Sequence, residues 1–367
     1  MSAPKELPIR HRKIGPYRVD GELGRGGMAR VYKGVHESLE RTAAIKELLP
    51  EAMRDRESQS RFEREARALA SFRHSNIVTV YDLIEKSDAY FLVMEYVDGP
   101  SLLEILRDGP MPPDVAAVIA AQLCSALDHA HFHRVIHRDL KPANVMITRT
   151  GEVKLMDFGI AKDEADSGLT KEGIAIGTPS YMSPEQVTGQ KVDPRTDLFS
   201  LGVVMYEMLS GEKPFTGKTT GEVFAKIRDG KCAPITKAAR NVPRPIANIV
   251  KRAMEGPLDS RYFDAAEMLR DLEQYLTSTV KMSPSALLIA FLKMRGKISE
   301  VEALKHVTSL QLSIMEELES DRSIEAKAFG RAGRRLRWLL AVGIAAGTGL
   351  YFTQQQWLPL FHHYWPK

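Results

Sequence analysis

From Tyr17 the chain first alternates and then rolls. Tyr17 to Val35 places apolar and polar residues in turn on either side of a glycine-rich turn, as two adjoining strands do. Residues 42–48 read as a third strand, and Ile77 to Leu83 and Tyr90 to Met94 as two more. Ser58 to Phe72 sets apolar residues among charges at helical spacing. After Glu95-Tyr96-Val97 the period moves from 2 to 3.6, which predicts helices over 101–107, 113–133, 197–210, 219–229, 243–254 and 264–276. The pattern predicts an α+β chain in two lobes. A small lobe of five strands and one helix spans 17–97, and a large, mainly helical lobe spans 98–276.

The flanks follow different rules. Residues 1–16 are polar and basic and read as a flexible lead. Residues 277–335 read as a helical linker. Within it Ser283 to Met294 is a compact apolar cluster, too short to cross a bilayer. From Ser299 to Ser320, Val301, Leu304, Val307, Leu310, Ile314 and Leu318 recur every three or four positions. That stripe suits a helical hairpin packed on the preceding lobe or on itself, or a short dimerisation helix; three heptads are marginal for a coiled coil.

Trp338 to Phe352 runs 15 residues without a charge. Extended to 336–357 it reaches about 33 Å as a helix, against a hydrocarbon core of about 30 Å. Arg331, Arg334, Arg335 and Arg337 precede the charge-free run, which sets the preceding lobes on the cytoplasmic side of a single-pass span in the cell membrane, with a short tail at 358–367. Gly343 and Gly347 form a GxxxG pair of the kind that lets two spans pack closely, so the expectation is a homodimer through the span or through the helical linker. The other reading is a buried or peripheral helix of a cytoplasmic protein.

Composition narrows the partners. A net charge of +4, with no zinc-like Cys/His spacing and no aromatic-basic stripe, argues against nucleic acid. The cysteines, Cys124 and Cys232, sit in helical-looking apolar contexts and read as spectator thiols in a reducing compartment. Met1 to Lys13 holds no apolar run of the kind a secretory signal needs.

Four short islands carry the chemistry: Ala43-Ala44-Ile45-Lys46, His137-Arg138-Asp139, Asn144, and Asp157-Phe158-Gly159. In this order, and behind the glycine turn Gly24-Arg25-Gly26-Gly27, they resemble the eukaryotic-type (Hanks-type) Ser/Thr protein kinases, most closely the bacterial membrane-anchored members, over Tyr17 to about Leu276. The resemblance implies the bilobal kinase fold and a non-specific Ser/Thr protein kinase that transfers the γ-phosphate of ATP to protein hydroxyls.

It also implies the roles. Asp139 is the base that receives the acceptor hydroxyl's proton, and Lys141 neutralises the γ-phosphate. Lys46 binds the α- and β-phosphates and pairs with a helix glutamate, Glu65 in preference to Glu63. Gly24, Gly26 and Gly27 cover the phosphates, with Ala29 where the family has a third glycine. Leu23, Val31, Ala44 and Met146 sandwich the base, Met94 backs the pocket, and the backbone of Glu95 and Val97 meets the adenine edge. Asn144 and Asp157 supply hard oxygen ligands suited to Mg²⁺ or Mn²⁺.

Arg138 beside the base implies control by phosphorylation of the segment after Asp157. Thr170 is the first candidate phosphosite and Thr178 the second. Glu185 is expected to pair with Arg261, and Asp197 to hold the backbone of the catalytic loop. The alternative to an active enzyme is a pseudokinase-type scaffold that binds nucleotide or partners without transfer.

Overall fold

The computed structural model describes residues 13–26, 29–48, 62–63, 66–67, 69–86, 89–158 and 179–307. Gly27, Glu65, Gly159, Thr170, Thr178, the second half of the 299–320 stripe (Leu310, Ile314 and Leu318) and the expected span at 336–357 lie outside the described residues. The elements below belong to a compact unit of residues 1–304; of the second unit, 305–367, only helical residues 305–307 are described.

The small lobe is one antiparallel sheet. Its strands are β1 (Lys13–Ile14), β2 (Tyr17–Arg25), β3 (Ala29–His36), β4 (Thr42–Leu48), β5 (Val80–Lys86) and β6 (Ala89–Glu95), in the order β1-β2-β3-β4-β6-β5. Six strands stand where five were expected. The addition, β1, falls in the stretch read as a flexible lead. Two residues are too short to show a period, yet Ile14 is buried with Tyr17, Val19, Tyr32, Ala43, Ile45, Phe91 and Val93.

Register sorts the two faces. Tyr32 lies opposite Ile45, which lies opposite Val93, and these residues form that core. One residue along, Val31 lies opposite Lys46 and Ala44 opposite Met94, so the other face carries the candidate site.

The strand expected at Ile77 to Leu83 begins instead at Val80. Ile77 and Val78 are used elsewhere. The Val78 amide donates to the Leu155 carbonyl (3.0 Å) and the Leu155 amide to the Asn76 carbonyl (2.8 Å), which fastens the small lobe to the large one. Helical residues within 62–70 bury Phe62, Ala66 and Leu69.

The large lobe contains α1 (Leu102–Leu106), α2 (Pro113–Phe132), the hairpin β7 (Val145–Ile147) and β8 (Val153–Leu155), α3 (Pro184–Val187) and α4 (Arg195–Ser210). It continues with α5 (Thr220–Arg228), α6 (Ile235–Ala238), α7 (Arg244–Ala253), α8 (Ala265–Thr279) and α9 (Pro284–Met294). Thr196 to Leu209 of α4 are buried without a gap, as in a helix surrounded by protein. α2 is long and apolar enough to cross a membrane, but it packs against α4, α8 and α9 as a core helix.

Cys124 is buried in α2, as read, but Cys232 lies in the loop after α5 and is part-exposed. The apolar cluster of the linker is α9. Leu287 to Leu292 are six consecutive buried residues, and the helix packs on α2. Burial of each Leu, Ile or Phe there contributes about 1.5–3 kcal/mol over exposure.

Candidate active site

The loop from His137 to Asn144 is shaped from beneath by α4. Fully buried Asp197 accepts the amides of His137 and Arg138, both at 2.8 Å, and meets His131 Nε2 at 2.8 Å. Burial alone would raise the Asp197 carboxyl. The His131 contact and the loop amides outweigh it and hold the group below the usual carboxylate range. Arg138 takes a left-handed conformation (φ 62°), which points successive peptide N–H groups at one carboxylate.

His137 is buried and touches two loops. Its Nδ1 accepts the Asp139 amide at 3.2 Å, which leaves the proton on Nε2 to donate to the Met156 carbonyl at 3.1 Å. Burial pushes its pKa below the ordinary 6.5. A base depressed in the folded state stabilises that state above its unfolded pKa, and the contribution is lost as pH falls from there towards the depressed value. Urea midpoints are therefore expected to drop between pH 7.5 and 5.5, with a shallower fall in His137→Phe. An identical pH slope in that variant rejects the assignment.

On this base the reactive side chains converge. Lys141 Nζ is 2.6 Å from Asp139 Oδ2, and Asn144 Nδ2 donates to the Asp139 carbonyl (2.9 Å) and to Oδ2 (3.2 Å). The amide nitrogen of Asn144 thus faces Asp139, and its oxygen is the atom with chemistry for a cation. The Met156 amide donates to the Asn144 carbonyl (3.0 Å), tying this loop to the next.

Asp157 also takes a left-handed conformation (φ 55°), and its Oδ1 meets Lys46 Nζ at 2.9 Å. The positive charge of Lys46 holds the Asp157 carboxyl below the usual range, against partial desolvation. Phe158 is buried against Phe72 and His137, with centroids 5.5 and 4.6 Å away, which anchors the turn that presents Asp157.

Of the expected site residues, the structure brings Lys46 to Asp157, and Lys141 and Asn144 to Asp139. Lys46's expected partner Glu65 lies outside the described residues; the competitor Glu63 pairs with Arg67 one turn on, at 2.9 Å. Val31, Ala44 and Met94 share the site face of the sheet, and Leu23 is half exposed on β2 beside Gly24. Met146 on β7 bridges to Ser101, the N-cap of α1.

Met94 lines a small cavity with Val80, Leu92, Leu155, Met156 and Asp157. The Glu95 amide is committed to the Thr79 carbonyl (2.8 Å), so any contact of Glu95 with an adenine edge falls to its carbonyl. Sequence reasoning missed Lys154, which reaches the Glu95 carboxylate at 2.8 Å from β8. It also missed Gln186, which donates to the Arg138 carbonyl at 2.9 Å. Neither residue carries a motif; Lys154 is selected by packing between the lobes and Gln186 by packing of α3 on the loop that holds Arg138.

A divalent cation fits this donor set. Asn144 and Asp157 offer hard oxygens, and among the described residues no cluster of three or more His, Cys, Asp or Glu forms a metal cage. Two protein oxygens completed by substrate phosphates is the arrangement Mg²⁺ favours. When bound there, the ion would neutralise phosphate charge. The arrangement is suited to phosphate transfer: Lys46 could meet phosphate oxygens, Asp139 could orient a hydroxyl and take its proton, and Lys141, 2.6 Å from that carboxylate, would be a second cation.

A protein kinase domain model matches residues 17–284. Serine/threonine-protein kinase PknB of Mycolicibacterium smegmatis is 41% identical over 280 residues, covering 74% of this chain and 44% of its own length. A Streptomyces coelicolor protein described as a probable serine/threonine-protein kinase is 42% identical over 284 residues, covering 75% and 41% respectively. The chain thus matches less than half the length of these curated relatives. The crystal structure of the Mycobacterium tuberculosis PknI kinase domain superposes with a TM-score of 0.59 at 24% identity, covering 73% of this chain and 99% of that one, which supports the fold. The chain belongs to the protein kinase family, alongside the bacterial eukaryotic-type Ser/Thr members.

Proposed function

We propose that the chain is an ATP-dependent Ser/Thr protein kinase that uses Mg²⁺ and phosphorylates protein substrates. The observation that carries this reading is the meeting of Lys141 and Asn144 on the Asp139 carboxylate, on a loop held by Asp197. A scaffold without transfer has no use for a lysine 2.6 Å from that carboxylate or for an ionised Asp157 on Lys46. The glycine turn agrees. A Cβ added at Gly24 would meet nothing within 4 Å among the described residues, so their packing does not demand glycine there, and close approach of a phosphate supplies the demand.

The test is phosphate incorporation from γ-labelled ATP into a Ser/Thr-bearing protein, with Mg²⁺ and with chelator. Transfer is expected with Mg²⁺ alone and is expected to fall at least a hundredfold in Lys46→Met, which removes the phosphate cation. Equal incorporation by both proteins would sink the reading. Phosphopeptide mapping of the same reaction tests Thr170 as the activating autophosphorylation site, with Thr178 as the second candidate. An active enzyme unmodified at Thr170 rejects that assignment.

The enzyme works, on this reading, at the cytoplasmic face of the cell membrane. Support comes from the sequence of 336–357 and the arginines before it. Membrane fractions washed with alkaline carbonate are expected to retain the full chain; release into the supernatant rejects a span.

A further inference from the structure

The geometry points to Glu302 as a positioning residue for the nucleotide hinge, acting from the C-terminal extension through Arg149 on Asp98. The inference rests on the nucleotide-binding reading above.

The extension reaches the hinge as a fastened strap. Ser283 caps α9 by accepting the Ala286 amide. The Ser285 carbonyl lies against Gly151 (φ 78°), where a Cβ would stand 2.3 Å from the oxygen, so the β7–β8 turn and the start of α9 are in backbone contact. Past the helix, Arg295 donates to the carbonyls of Asp108 and Pro110, and Lys297 Nζ meets Asp108 Oδ2 at 2.8 Å. Both clips grip the loop between α1 and α2.

The chain then starts a new helical turn, and its capping box sets the Glu302 side chain. Glu302 Oε2 accepts the Ser299 amide (2.8 Å) and hydroxyl (2.7 Å), while Ser299 Oγ accepts the Glu302 amide (3.3 Å). With Oε2 so held, Oε1 accepts Arg149 Nη1 at 2.8 Å. Arg149 in turn donates through Nε to Asp98 Oδ1 and through its backbone amide to the Asp98 carbonyl, both at 3.0 Å.

Asp98 directly follows Val97, the residue expected on the adenine edge. Its neighbour Gly99 is pressed so closely on the turn that a Cβ would stand 1.9 Å from the Ile147 carbonyl. One guanidinium therefore joins an anion of the extension to an anion at the end of the hinge. The side chains of Arg149, Asp98 and Glu302 are 35%, 63% and 41% exposed, so water screens the pairs and the effect on nucleotide affinity is roughly two- to fivefold.

The test titrates the full chain with a fluorescent ADP analogue, N-methylanthraniloyl-ADP. Glu302→Ala and Arg149→Ala are each expected to weaken binding two- to fivefold, and the double variant to be no weaker than Arg149→Ala. Transfer assays are expected to show a raised KM for ATP at an unchanged kcat. Ser299→Ala, which loses the cap hydroxyl but keeps the amide contact to Glu302, is expected to lose less than Glu302→Ala. An unchanged Kd in Glu302→Ala, additive losses in the double variant, or an equal loss in Ser299→Ala overturns the coupling. A native chain that binds no adenine nucleotide overturns the nucleotide-binding reading itself, and the inference with it.

Discussion

Asp139→Asn is expected to lower phosphate transfer by roughly 10²- to 10⁴-fold, the usual contribution of a positioned acid–base group, while nucleotide binding persists. The substitution keeps the shape and removes the proton acceptor. It also damages the surroundings. Asp139 Oδ2 accepts both Lys141 Nζ and Asn144 Nδ2. An asparagine can turn an oxygen to those donors, but only by pointing its NH₂ where the acceptor hydroxyl is to lie. The alternative flip sets an amide against an ammonium. Either orientation removes the base. Initial rates with labelled Mg-ATP, beside nucleotide titration of the same preparation, separate chemistry from binding. A rate within threefold of the native chain would refute the assignment of Asp139.

The second large effect concerns stability. Arg261→Met is expected to cost about 3–5 kcal/mol, because it strands a buried carboxylate. At about 2–4 °C per kcal/mol for a domain of this size, melting falls by roughly 6–20 °C. Glu185 and Arg261 are 3% and 0% exposed in their side chains and form two parallel bonds of 2.8 Å. Arg261 also donates to the carbonyls of Glu255, Gly256 and Arg195, and Thr196 donates to Glu185 at 2.7 Å. Burial by itself would raise the Glu185 carboxyl; its bonds to Arg261 reverse that and hold it below the ordinary range. The pair is thus intact at neutral pH, and its contribution is lost as pH falls through and below the ordinary carboxylate range. Thermal melts at pH 7.5 decide the matter, and a shift under 3 °C would reject the brace. Adding Glu185→Leu to Arg261→Met is expected to recover part of the loss, since no unpaired charge then remains.

The sequence disclosed the candidate residues better than their support. Lys46, Asp139, Asn144 and Asp157 stand out as candidates because the chemistry admits few residue types at each place, and the fold brings Lys46 to Asp157 and Asn144 to Asp139. The brace of Glu185 and Arg261 was legible because a family pattern marks both ends. The helices of the large lobe were legible through their period, and all six stand within two or three residues of their expected limits. Illegible were the features fixed by contact between distant segments. β1 is too short for a period. Ile77 and Val78 look like strand, but Ile77 pairs in an isolated bridge with Leu155, through bonds that Asn76 and Val78 make to it. Lys154 looks like an alternating surface lysine until β8 brings it to Glu95. The fasteners of the extension, Arg149, Arg295 and Lys297, read in sequence only as solvated charges.

The burial of α9 bears on where the folding unit ends. The family match stops at residue 284, the first residue of that helix. A recombinant fragment cut there would lose Leu287 to Leu292 and bare the side of α2 they cover, a fresh apolar surface prone to self-association. Whatever lies downstream of residue 304 in this chain is therefore grafted onto the catalytic lobe through a piece of its own interior. Trimming, swapping or fusing at the textual boundary of the domain amounts to a core mutation.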